Sequence, residues 1–505
     1  MPSREPGVSW GRAALRLHRF LAISGGLALV LWGGSGLLHV VMTNFGPQQA
    51  RFRPPTQAID LTSSRPIGEM LQRAEIPEAA AIRIVVGDGE SLLQVTEEQD
   101  RPRRYFDLET GEERPGHDRV HAEFLARYYL GLDGGADTAA PTPATPVRSI
   151  ALITDFSDAY PWVNRLLPVY RVEFDRPDRL AAYVYTETNA LASVTDVRKE
   201  RVQGAFNAFH TWSWFPRQAE WLRVILIVYM VGSLLCLSIS GSVLLRTLRA
   251  RKRSDRARSI HRIAAVGFAL PLLMFTSSAL FHLFSFAGEM PGRSLRLAPP
   301  LSLGDVDFPI HEQWSDVTEG LDVSSLSIVE TGSGSVAYRI GLALPPGADP
   351  ASPAAIRNAR FDGAPVNGPA VYLDAATGAP IDEGDREIAL AIGARWTDDE
   401  AIEPLHAEVV TRFGPTYDFR NKRLPVWRLD YGEPIRASVF IDTATGVVAD
   451  VLADSDRPER FVFAFLHKWN FLFPLGRGVQ SAVVAAFVAS AILFLGGTGF
   501  VLRRR

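Results

Sequence analysis

Six histidines stand at matching places in two halves of this sequence, and they are the residues best suited to chemistry. His18 and His39 bracket the run Leu17 to Met42; 243 positions on, His261 and His282 bracket Ile260 to Ser285 with no gap. His210 and His467, each two residues before a tryptophan, match at an offset of 257. An imidazole can ligate a metal or carry a proton near neutral pH. In or near hydrocarbon such a ring is costly unless it is paired or functional, so three of them in each half point to ligation more than to packing. Cys236 is the sole cysteine, so no disulfide, CxxC redox pair or thiolate metal cluster is possible within the chain.

The elements that position these rings read as membrane spans. About 20 apolar residues at ~1.5 Å rise cross the ~30 Å hydrocarbon core, and four runs qualify: 20–42, 221–245, 261–286 and 479–502. Within the first and third, the histidines are 21 residues apart, near opposite membrane faces and turned only ~60° from each other. Charge gives the orientation. Segments 1–19, 246–260 with the adjoining Arg262, and 503–505 hold fifteen basic residues against Glu5 and Asp255, +13 in all, while the remainder carries −16 within a formal net charge of −3. The positive-inside rule places both termini and that basic loop in the cytoplasm, and the long segments 43–220 and 287–478 outside. These arginines are juxtamembrane, so no nucleic-acid partner is expected. The first run is too long for a signal-peptide core and lacks a cleavage signal after His39, so it reads as a retained helix.

The two outer segments echo each other. In the first, IGEMLQRAEI reads as helix, IRIVVG, SLLQVTEE and YFDLETGEER as strands with a turn at Thr110-Gly111, Asp133 to Pro146 as a linker, and the stretch near Ile150 to Tyr160 as helix. NRLLPVYRVEF from Asn164 corresponds to NKRLPVWRLDY from Asn421, and Tyr160 to Tyr417. VYLDAATGAPID and VFIDTATGVVAD repeat the YFDLETGEER turn, and AYVYTETNAL is a decayed fourth copy. The expected fold is a four-helix transmembrane bundle made by tandem duplication, with two periplasmic α+β domains of two related modules each.

These strand-D-x-x-TG-strand units resemble the PepSY module. LHRF with SGLLH, the IHR helix, and a membrane-proximal histidine before the next span are similar to the PepSY-associated transmembrane family, over nearly the whole chain. That family includes inner-membrane proteins of iron uptake, among them ferric-siderophore reductases with b-type haem between transmembrane helices. The resemblance implies a multi-pass protein of the bacterial inner membrane that reduces a periplasmic ferric chelate or siderophore.

Haem b is then the expected cofactor, in one to three copies, with two preferred. His18 and His261 lie alone at the cytoplasmic face, one per half, and a planar haem between helices needs two axial ligands. At the outer face, His39 with His282 is the symmetric pair; His210 with His467, or one histidine of each class, is its rival. Gly25, Gly26, Gly33, Gly34 and Gly36 would let a flat ring approach the first helix, although for the glycines alone helix packing is the better reading. His117 and His121, spaced i, i+4, could chelate a metal but read better as a solvated helix start, and His311 and His406 read as ordinary surface or core residues. No Walker A loop, GxGxxG after a strand, HExxH or GxSxG occurs, so electrons must come from a separate reductase or a membrane quinol. Membrane lipid is the remaining partner. The rival function is a haem-free periplasmic binding or regulatory protein; a transporter would need charge deep in its spans.

Overall fold

The computed structural model describes residues 6–133, 145–247, 255–286, 294–319, 321–342 and 370–504. The chain forms two compact units: Met1–Gly46, Arg198–Met290 and Ser455–Arg505 in one, Pro47–Val197 and Pro291–Asp454 in the other.

The first unit holds four helices long and apolar enough to cross a membrane. They are α1 (Pro6–Phe45), α2 (Glu220–Thr247), α3 (Arg256–Phe286) and α4, which runs Arg477–Ala491, passes a π turn at Ile492–Gly496 and ends as Gly497–Arg504. Their outward faces are apolar: Phe20, Ile23, Leu27, Ile225, Ile263, Val266 and Leu270 are all exposed. A continuous apolar exterior suits lipid, where every backbone group must be satisfied within its own helix. Inside, Ala28, Leu29, Leu234, Leu272 and Ala491 pack together, and hydroxyls are buried at Ser35, Ser238, Ser240, Thr276 and Ser278. Pro271 lies inside α3, which continues through it.

The second unit is built of antiparallel sheets. Its strands of four or more residues are β1 (Ala81–Val86), β2 (Ser91–Thr96), β3 (Arg104–Asp107), β4 (Val147–Ile153), β5 (Val169–Phe174), β6 (Ala181–Tyr185), β7 (Ala190–Thr195), β8 (Val323–Glu330), β9 (Val336–Leu342), β10 (Ala370–Asp374), β11 (His406–Val410), β12 (Val426–Tyr431), β13 (Ala437–Asp442) and β14 (Val447–Ala453). One six-stranded sheet has the order β10-β9-β8-β1-β2-β3; β4 to β7 form another, and β11 to β14, extended by Leu295–Arg296, a third. The six-stranded sheet draws strands from both long segments, joined where β8 pairs β1 at Ser327↔Arg83 and Ile328↔Ile82. The structure thus differs from two free-standing domains. The reason lies in a shared core, in which Ile82, Ile84 and Val95 of the first segment pack with Leu326, Ile328 and Ile340 of the second.

The stretch near Ile150 to Tyr160 is not helical. It opens as the strand β4, paired along its length with β5, and this tertiary pairing outweighs local propensity in a Val-, Ile- and Thr-bearing segment. The linker expected over Asp133 to Pro146 falls largely outside the described residues. The remaining turns follow the sequence. Asp107 Oδ1 accepts from the amides of Glu109 and Thr110, and Asp374 Oδ1 from those of Ala376 and Thr377. Gly111 and Gly378 then take positive φ, 72° and 74°, which explains the D-x-x-T-G pattern. In the decayed copy Asn189 occupies the same region at φ 54°, as asparagine tolerates it.

Two helices close the sheets. His117–Leu130 buries Ala122, Leu125 and Tyr129 against Val172, Phe174 and Val184, and Asp385–Thr397 buries Ile388 and Ile392 against Leu429, Val439 and Ile441. A charged cluster lies inside this unit. Glu187 Oε1 accepts from Arg296 at 2.7 Å, Glu187 Oε2 is 3.5 Å from Arg103, and Arg423 donates to Asp442 at 2.7 Å. The guanidinium groups of Arg103 and Arg423 both lie over the Tyr185 ring, at 5.0 and 5.4 Å.

Candidate paired-histidine site

At the end of the helical unit where α1 and α3 begin, His18 and His261 come together. Their ring centres are 6.3 Å apart and the rings are nearly perpendicular, at 81°. Each is fixed by a hydroxyl on the neighbouring helix. His18 Nδ1 is 3.0 Å from Ser240 Oγ on α2, and His261 Nδ1 is 2.9 Å from Thr498 Oγ1 on α4. The residue after each hydroxyl is a glycine against the ring: a Cβ at Gly241 would stand 3.5 Å from His18 Cε1, and one at Gly499 3.8 Å from His261 Cε1.

The hydroxyls decide which nitrogen carries the proton. Ser240 Oγ donates to its own helix at Leu237 O, 3.2 Å away, and Thr498 Oγ1 donates to Phe494 O. A hydroxyl has one proton to give, so each oxygen accepts from Nδ1–H. On this accounting the Nδ1–H tautomer fits both rings, with the Nε2 lone pair left as an acceptor.

The far end repeats the device. His210 Nδ1 lies 2.9 Å from Ser35 Oγ and His467 Nδ1 3.3 Å from Ser278 Oγ, while Ser35 donates to Leu31 O and Ser278 to Met274 O, each at 2.7 Å. Both histidines sit in π turns, Asn207–Thr211 and Phe463–His467, where the extra residue per turn re-aims a side chain. Two residues on, Trp212 and Trp469 take positive φ, 55° and 56°, and stack on Trp32 and Phe275 at 5.4 and 5.2 Å. Trp32 Nε1 also donates to His210 O at 3.1 Å, tying that turn to α1.

His39 and His282 flank this end through a phenylalanine each. His39 packs on Phe206 at 5.2 Å and Phe206 on His210 at 4.6 Å; His282 packs on Phe463 at 4.1 Å and Phe463 on His467 at 4.7 Å. Their hydrogen bonding differs. The His39 ring makes no hydrogen bond among the described residues, whereas His282 Nδ1 lies 2.5 Å from Glu459 Oε1. Each of the two pairs is thus joined through one ring within its own half, His39 to His210 through Phe206 and His282 to His467 through Phe463. α1 is continuous between His18 and His39, which sets the two ends ~31 Å apart along it.

The glycines of α1 divide into two groups. Gly25 and Gly33 pack helix on helix: a Cβ at Gly25 would lie 3.1 Å from Leu234 N, and one at Gly33 3.0 Å from Ile492 Cδ1. Gly26, Gly34 and Gly36 face open space, with nothing within 4 Å of an added Cβ. His121 is buried with Nε2 on Asn189 Oδ1 at 2.7 Å, and Tyr105 packs on both His117 and His121 at 5.1 and 5.6 Å, an arrangement of core packing. Among the described residues, no three or more His, Cys, Asp and Glu side chains converge to hold a metal ion. His406 lies on the surface, 3.4 Å from Glu408 Oε2.

The sequence reading missed Ser240, Thr498 and Glu459. A signal existed for the first two, because Ser240-Gly241 and Thr498-Gly499 match at an offset of 258. No family model matches this chain, and no curated protein matches it.

Proposed function

We propose that this chain is an electron-transfer protein of the bacterial inner membrane, holding b-type haem at two levels and reducing a periplasmic ferric chelate. The observation that carries this reading is the shared arrangement at His18, His261, His210 and His467: Nδ1–H on a back-bonded hydroxyl, with Nε2 left to ligate. Ring centres 6.3 Å apart at His18 and His261 suit two imidazoles on opposite sides of one metal, which at ~2 Å metal–nitrogen distances lie about 6 Å apart. A macrocycle brings its own equatorial ligands, so it needs only such a pair and not a cluster of three. Open space beside Gly34 and Gly36 supports the same reading.

Bound haem supplies reversible one-electron storage. The chain's own residues do the rest. Ser240 and Thr498 orient the inner rings, Gly241 and Gly499 give them room, and Ser35, Ser278 and the two π turns orient the outer pair. Both termini lie in the cytoplasm in this reading and the sheet-containing unit lies in the periplasm; electrons come from quinol or a separate reductase. Reducing a chelated ferric ion weakens its hold on hard oxygen ligands and releases iron. The family resemblance of the sequence points the same way.

The test is the visible spectrum of the detergent-purified chain, oxidised and dithionite-reduced, with pyridine-haem quantitation per polypeptide. Sharp reduced b-type bands with two haems are expected, falling to one in the His18→Ala/His261→Ala double variant. A colourless protein from haem-replete cells would refute the reading and return the chain to a binding or regulatory role.

A further inference from the structure

Glu459 breaks the match between the two halves. Its side chain is 5% exposed, yet it belongs to the helical unit, and its Oε1 accepts from His282 Nδ1 at 2.5 Å. At the corresponding place, 257 residues earlier, stands Val202, and His39 makes no such bond. The four hydroxyl-bound histidines are bonded to neutral groups; this one is bonded to a carboxylate. The pair is wired to the far-end site by packing: His282 lies on Phe463 at 4.1 Å and 18°, and Phe463 on His467 at 4.7 Å and 11°.

We propose that Glu459 is a positioning residue of the far-end site, whose carboxylate, held on His282, lowers the reduction potential at His210 and His467 and makes that end the stronger electron donor. The proposal rests on the haem reading above. A buried negative charge favours the more positive ferric state over the ferrous one. Eight helical residues separate Glu459 from His467, about 12 Å of rise. At an effective dielectric of ~20, a unit charge that far away shifts a one-electron equilibrium about tenfold. Lys468, whose Nζ lies 4.8 Å over the Phe463 ring, opposes this field, so Glu459 sets the potential against a nearby cation. The step balances one for one: each electron leaving converts one ferric ion of the chelate to ferrous and is replaced by one from quinol or the reductase.

The experiment is an optical redox titration of the full chain in lipid nanodiscs, with haem content measured alongside. Glu459→Gln keeps the shape and removes the charge. One of the two potentials should rise about tenfold in equilibrium constant, about 59 mV for one electron, with the other unmoved and haem content unchanged. Lys468→Gln should move the same component downward. If Glu459→Gln fails to fold, Val202→Glu supplies a carboxylate on the His39 side and should lower one potential. A haem-replete wild type in which the soluble variant shifts neither potential, or both equally, overturns this proposal alone. A colourless wild type overturns the haem reading and this inference with it.

Discussion

Replacing Glu187 by glutamine removes the negative charge from a fully enclosed cluster while keeping its shape. The carboxylate and Arg103 side chains are both 0% exposed, and none of the three Arg103 guanidinium nitrogens makes a hydrogen bond among the described residues. Burial by itself would raise the Glu187 carboxyl; Arg296, Arg103 and Arg423 outweigh it and hold the group at about 2, below the ordinary 4.5. A depressed carboxyl stabilises the fold above its unfolded value, and that stability is lost as pH falls through the folded one. The difference corresponds to about 3 kcal/mol at pH 7, of which about 2 kcal/mol is gone by pH 3. An independent route agrees, since uncovering one partner of a buried ion pair costs about 3–5 kcal/mol. Urea titration of the full chain in detergent, followed by tryptophan fluorescence, measures the gap between wild type and Glu187→Gln at pH 7 and pH 3. A gap under about 1 kcal/mol at pH 7, or one that does not shrink on acidification, refutes the reasoning.

Two further outcomes follow from the same unit. Burial pushes the His121 imidazole down to about 4 from 6.5, so the neutral ring is the folded form, and about 3 kcal/mol of stability should fade as pH drops from 6.5 towards 4; the His121→Asn variant should lose that slope in a pH series of melting temperatures. Gly378→Ala places a Cβ 2.2 Å from Phe308 Cε2 at φ 74°, whereas Gly89→Ala meets nothing within 4 Å at φ 77°. The second should cost only the ~1 kcal/mol of left-handed strain and the first clearly more, read as a larger fall in melting temperature.

Some of this protein was set by local pattern. Hydrophobic length dictates four helices able to cross a membrane, because backbone in hydrocarbon has no other way to satisfy itself. The repeated Asp and Gly of the turns are likewise local, each residue serving its own backbone. The 21-residue spacing of His18 and His39 puts them on one helix face, which needs no partner to work out.

Tertiary structure decided the rest. No local feature tells β1 to take β8 from a segment more than 200 residues away; the apolar core the two segments share does. The helix expected near Ile150 to Tyr160 gives way for a similar reason, because β4 pairs with β5 across a connection. At the site, sequence supplied six histidines but not their tautomers, which depend on hydroxyls brought in by neighbouring helices and on those hydroxyls spending their proton on their own backbone. Glu459 was invisible because it matches nothing in the first half, and only the packing of its helix against α3 sets it on His282.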